Sequence, residues 1–60
     1  MRYTTIYRIG ILTVDRDNYN NRYCVFAQAN GHRHQLSKWY IYPKRAINRA
    51  NKIVSRTDEP

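Results

Sequence analysis

Cys24 is the only cysteine in a chain of 60 residues, so no internal disulfide can staple the fold. A chain this short buries only about 60% of the surface its unfolded form exposes, and its core is worth roughly 3–5 kcal/mol net. It makes one small basic domain at most, residues 1–60. A lone thiol flanked by Tyr23, Val25 and Phe26 reads as core filling in a reducing compartment, which predicts a cytoplasmic protein. No apolar run approaches the roughly 20 residues that span a bilayer, and Met1–Thr5 lacks the apolar stretch of a secretory leader, so no membrane is expected as a partner. A hydrophobic fraction of 42% with six Tyr argues against disorder.

Residues 3–14 are rich in β-branched and aromatic side chains and read as a first strand, with Gly10 as a bulge or sharp twist. The Asp- and Asn-dense stretch Asp15–Asn21 reads as a loop. A second strand covers 22–29. Asn30-Gly31 predicts a two-residue type I′ turn, which needs positive φ at both central residues, and hence a third strand over about 32–42. Pro43 suits the first position of a helix, where the missing amide would have no partner, so a helix is predicted over about 43–56 and a tail over 57–60. The predicted fold is α+β, a three-stranded antiparallel sheet packed against one C-terminal helix (βββα).

The helix carries the sharpest pattern. At about 100° per residue, Ala46, Ile47, Ala50, Ile53 and Val54 fall in a sector of about 120° suited to packing on a sheet. Arg45, Arg49, Lys52 and Arg56 fall in a neighbouring sector of about 60°. Residues 33–56 hold seven Lys or Arg and no carboxylate, whereas the remainder balances four Arg against four acids. The net charge of +7 is therefore a local patch, and a concentrated basic face points to an anionic partner. Like charges at these spacings cost roughly 0.2–0.5 kcal/mol per neighbouring pair. Lys44 and Arg45 oppose the helix dipole as well. The competing reading is a solvated face that keeps the protein soluble.

The turn at Asn30-Gly31 places Ala29 opposite His32, Val25 opposite Leu36 and Arg22 opposite Trp39. One face then gathers Tyr23, Val25, Ala27, Leu36 and Tyr40 as core. The other gathers Arg22, Phe26, Gln28, Arg33, Gln35 and Trp39, where Arg beside flat aromatics is the composition that stacks bases and contacts phosphate. For Phe26 and Trp39 burial in the core competes with that role. His32 and His34 share a strand face, but Cys24 points to the opposite one, so no metal and no cofactor is expected. General acid–base work by these histidines on a phosphodiester, with Arg33 or Lys38 stabilising charge, needs a pocket that so small a sheet rarely supplies. The chain is therefore expected not to be an enzyme.

The run Trp39-Tyr40-Ile41-Tyr42-Pro43 leading into Ala46, Ile47, Ala50 and Ile53 resembles the last strand and alanine-rich helix of the plant-type AP2 domain and of the arm-binding domains of phage and transposon integrases. That resemblance covers about 20 residues and is architectural. It implies DNA reading by Arg and Trp on the exposed sheet, with Arg22, Arg33 and Trp39 at the matching positions. The chain departs from those families in lacking glycine-rich strand motifs and in carrying a basic helix. A standalone basic protein of this size also looks like the small accessory proteins of phages and mobile elements, which bind and block a host or defence factor.

Two functions follow. The first is a nucleic-acid-binding module, on DNA or RNA, using Arg45, Arg49, Lys52, Arg56 and Lys44, with Lys38, Arg33, Arg22 and Trp39 adding contacts. The second is an inhibitor or adaptor that docks on an acidic protein surface through Trp39, Tyr40, Tyr42 and Arg49. An exposed edge on so small a sheet also allows a homodimer.

Overall fold

The computed structural model describes residues 1–57. Four strands and one helix follow one another: β1 (Tyr3–Ile9), β2 (Leu12–Asp17), β3 (Arg22–Ala29), β4 (His32–Gln35) and α1 (Pro43–Thr57). The strands form one antiparallel sheet in the order β1-β2-β3-β4, so β1 and β4 are its edges. The class is α+β with a C-terminal helix as expected, but the sheet has four strands rather than three.

The extra strand comes from the segment expected to be one strand over 3–14. It folds back at Gly10-Ile11, with Ile9 opposite Leu12. Gly10 has φ of +59°, and Ile11 stays outside the left-handed region. Positive φ at the first central residue alone is the φ pattern of a type II′ hairpin turn, which glycine fills without strain. Ile11 is 66% exposed; its apolar side chain disguises a turn as the middle of a strand.

Further along β1 the register shifts between Thr5 and Tyr7, leaving Ile6 as an extra residue. This bulge has a large consequence, because alternation would otherwise place Tyr3, Thr5, Tyr7 and Ile9 on one face. Tyr7 and Ile9 pair with Val14 and Leu12 on the helix side, whereas Thr5 and Tyr3 pair with Asp15 and Asp17 on the outer side.

The predicted turn at Asn30-Gly31 forms with positive φ at both residues, 54° and 78°. Its register holds from Ala29 opposite His32 to Phe26 opposite Gln35. It then slips. The Leu36 amide still donates to the Val25 carbonyl at 2.8 Å, but the Val25 amide donates to the Ser37 hydroxyl at 3.0 Å. Tyr40 then pairs with Tyr23, exchanging backbone hydrogen bonds of 2.7 and 2.8 Å. The strand expected over 32–42 is thus a four-residue strand, a loop and an isolated bridge, and Trp39 does not stand opposite Arg22.

The loop expected over Asp15–Asn21 is shorter, because Asp15 and Asp17 belong to β2 and both are buried. Each carboxylate is compensated. Thr5 Oγ1 donates to Asp15 Oδ1 at 2.7 Å, and the Arg33 guanidinium pairs with Asp15 Oδ2. Asp17 organises the turn that follows: the amides of Tyr19 and Asn20 donate to Oδ1 at 3.0 and 3.4 Å, and Asn20 Nδ2 donates to Oδ2 at 3.0 Å. Arg2 Nη2 lies 3.4 Å from the same oxygen.

Burial alone would raise the Asp17 carboxyl, but the Tyr19 amide, the Asn20 side chain and the Arg2 guanidinium together hold it below the ordinary carboxylate value. A group lowered in the folded state stabilises fully above its unfolded value of about 3.9, and that stabilisation is lost as pH falls through the folded value. Urea midpoints should therefore be flat from pH 7 to about pH 5 and decline below about pH 4. Asp17→Asn should lower the neutral-pH midpoint and flatten that decline. An unchanged acid limb in the variant would show that Asp17 does not drive it.

The helix begins at Pro43, as predicted, and runs through Thr57. Thr57 therefore joins the helix, and the rest of the expected 57–60 tail lies outside the described residues. Ala46 and Ala50 are fully buried against Leu12, Val14 and Val25, with Ile47, Ile53 and Val54 packed around them. The two alanines set the close approach: a larger side chain there would force the helix away from Leu12, Val14 and Val25. The Tyr7 hydroxyl donates to Asn51 Oδ1 at 3.0 Å, fixing the helix toward β1. The helix packs on β3, β2 and β1 and stays clear of β4, which leaves open ground between the helix and the 36–40 segment. No helix among the described residues is long and apolar enough to cross a membrane.

Candidate nucleic-acid interface

Three shallow grooves meet at Tyr40. One, of about 600 Å³, runs between Gln35, Leu36, Ser37, Lys38, Tyr40 and Arg49. The second lies along the helix between Tyr40, Arg45, Asn48, Arg49 and Lys52. The third is formed by Lys38, Trp39, Tyr40, Ile41, Tyr42 and Arg45. Four cations (Lys38, Arg45, Arg49 and Lys52) thus line the walls around one half-buried tyrosine, with Lys38 Nζ 5.6 Å from its ring centroid.

Why these side chains converge follows from the local chemistry. The 100° step of the helix puts the basic sector beside the apolar one, so burying Ala46 and Ala50 aims Arg45, Arg49 and Lys52 past the sheet margin. Arg49 lies nearest the apolar boundary and is half-buried, whereas Arg45, Lys52 and Arg56 are exposed. The register slip after Gln35 carries Lys38 and Tyr40 toward them. Among the described residues only Arg2–Asp17 and Arg33–Asp15 form ion pairs, so no carboxylate there neutralises the helix cations. The first helical turn holds no acid, and Arg56 lies in the last turn, where a cation suits the dipole.

The structure divides the remaining residues singled out in the sequence. Arg56 continues the ridge, about 16 Å along the axis from Arg45 at 1.5 Å per residue. Lys44 is exposed but lines none of these grooves. Arg22 and Trp39 meet in a separate outer-face groove of about 490 Å³ with Arg2, Tyr3, Asp17 and Asn20. Arg22 Nη1 is engaged there by the Asn20 carbonyl at 3.0 Å.

Arg33 has a different employment altogether. Its guanidinium pairs with buried Asp15 and lies 4.2 Å from the Phe26 ring centroid and 4.9 Å from that of Tyr3. It braces the outer face. Phe26, Trp39 and Tyr3 form one aromatic cluster there, with centroids 5.9–6.5 Å apart and the Tyr3 and Trp39 rings within 20° of parallel. Phe26 and Trp39 are on the face opposite the helix and pack on each other, with Trp39 at the exposed rim of the cluster, where it borders the Tyr42 groove as well. Tyr3 escapes sequence reasoning because only the bulge at Ile6 brings it to that face.

Cys24 pairs with Asp15 on the outer-facing side of β3 and is buried, its Sγ 3.2 Å from the Ser37 carbonyl oxygen. His32 and His34 are on exposed β4 with ring centroids 6.5 Å apart. No group of three or more His, Cys, Asp or Glu among the described residues could hold a metal ion. Compared with models of known families, with curated proteins and with solved structures, the chain matches none. What the surface can do must therefore be argued from its own charge and shape.

Proposed function

We propose that the protein is a non-enzymatic nucleic-acid-binding module whose helix ridge contacts phosphates. One observation carries this reading: Arg45, Arg49 and Lys52, with Lys38 across the groove, converge around Tyr40 without a neutralising carboxylate among the described residues. A domain with so small a core bears the repulsion of that arrangement, and a polyanion relieves it. Along the ridge, cations recur every 4.5–6 Å of axial rise, at about 1.5 Å per residue, a spacing suited to successive phosphates. Arg56 and Lys44 extend the field at the two ends. Arg22, on the outer face, is a secondary contact, and Trp39 borders both the outer groove and the one lined by Lys38 and Arg45. Arg33 is left out because Asp15 engages it.

The ordinary test is salt dependence. Four to six neutralised phosphates predict that log K falls against log salt with a slope of roughly −3 to −5. Arg49→Ala should make that slope shallower by about 0.7–0.9 for any sequence, as expected of a phosphate contact. Salt-independent binding, or no binding to DNA or RNA at low salt, would remove the proposal.

A further inference from the structure

We infer that the strand bound is single, with its bases stacked on Tyr42 and Trp39 beside the cations; this rests on the phosphate-binding role of the ridge. The segment from Lys38 to Tyr42 sets one cation before four flat or apolar side chains and leads straight into the helix, whose Arg45 flanks it on the other side. Ile41 and Tyr42 are 59% and 62% exposed and Trp39 is 37% exposed, in a domain with little apolar surface to spare. Full burial of such side chains stabilises by about 1.5–3 kcal/mol each. Their outward display is a cost that a ligand's apolar faces would offset.

Position makes the display specific. Tyr42 and Trp39 line the same groove as Lys38 and Arg45. The Tyr42 backbone is fixed, which sets where its ring projects: Pro43 fixes the next φ, and the Arg45 amide donates to the Tyr42 carbonyl at 3.2 Å. Trp39 is braced from behind by Phe26 and Tyr3. A stacking platform with few conformations to lose binds better than a mobile one. The opposite helix flank presents Lys44, Asn51 and Ser55, a cation without an aromatic residue on the same flank.

A duplex turns its base faces inward and offers phosphates and groove edges, so exposed aromatics gain little from it. A single strand presents every base's π-face together with its phosphates, and aromatics bordered by cations are what that ligand needs. The ridge and platform together are long enough for a few nucleotides, within the range of about 4–16 known for compact single-strand sites.

The test uses the full chain and an oligonucleotide of about 12 residues without self-complementarity, either alone or annealed to its full complement. Trp39 is the only tryptophan, so its fluorescence reports stacking directly, while anisotropy of labelled oligonucleotide reports affinity. Single strands should quench Trp39 and bind tighter than the duplex. Tyr42→Ala should weaken single-strand binding by about 5- to 100-fold and duplex binding by less than about twofold, with Tyr42→Trp retaining affinity. Because Tyr42 is mostly exposed, the alanine variant should fold as the parent does. Equal affinity for both forms and an indifferent Tyr42→Ala overturn the stacking assignment, and the phosphate ridge stands if Arg49→Ala still changes the salt slope. Absence of binding to either form overturns both.

Discussion

Replacing Arg45, Arg49, Lys52 and Arg56 together by glutamine should abolish nearly all salt-sensitive binding while raising the melting temperature. The four ridge contacts alone weaken binding by about 50-fold on a single strand and about 150-fold on a duplex as salt rises from 50 to 200 mM. The glutamine variant should respond by no more than about tenfold over the same range, through Lys38 and Lys44. Its affinity at 50 mM salt should fall by about two orders of magnitude or more, because each lost contact removes its whole counterion-release contribution there. Glutamine is the appropriate replacement because it retains much of the apolar stem that Arg49 lays against the core boundary. Three neighbouring like-charge pairs disappear, each worth roughly 0.2–0.5 kcal/mol. At about 4–8 °C per kcal/mol for a domain of this size, melting should rise by several degrees. Circular dichroism melts beside anisotropy titrations separate the two effects. A variant that binds with the parent's salt slope places the phosphate contacts elsewhere; one that melts earlier shows that the cations support the fold.

The parts of this architecture that could be read in advance are those fixed by residues adjacent in sequence. Asn30-Gly31 set the turn and the start of the register because both residues tolerate positive φ, and Pro43 set the helix start because its φ and missing amide suit that position alone. The helix faces followed from the 3.6-residue period: Ala46 and Ala50 are buried, and Arg45, Lys52 and Arg56 exposed. What escaped depends on partners far along the chain. The Gly10-Ile11 turn hides behind an apolar residue, and the bulge at Ile6 has no compositional mark. The slip after Gln35 turns on one hydroxyl, that of Ser37, accepting the Val25 amide. Asp15 and Asp17 looked like loop formers because Asp favours turns. Their burial in β2 requires Thr5 and Arg33 for the first and Arg2, Tyr19 and Asn20 for the second. The Arg33–Asp15 pair is equally long-range, so the strand pattern alone does not show that the guanidinium is engaged within the sheet.

Arg33→Ala should therefore cost stability and leave nucleic-acid binding alone. Asp15 is almost wholly buried and would keep only the Thr5 hydroxyl among its present partners. Removing one member of a buried pair costs about 3–5 kcal/mol, because the other charge remains uncompensated. The Arg33 side chain is 36% exposed, so water reaching the site lowers this to about 1–3 kcal/mol. Loss of the guanidinium from above Phe26 and Tyr3 adds about 0.5–1 kcal/mol. Against a net stability of about 3–5 kcal/mol this is a large fraction, equivalent to a fall of roughly 10–20 °C in melting temperature. Arg33→Met combined with Asp15→Leu removes both charges and should recover much of the loss, since neither partner is then left unpaired in a buried site. At a temperature where parent and variants are all folded, the salt slope of Arg33→Ala should equal the parent's. The reverse pattern, an unchanged melting temperature with a slope shallower by about 0.7–0.9, would make Arg33 a phosphate ligand and the Asp15 pair incidental.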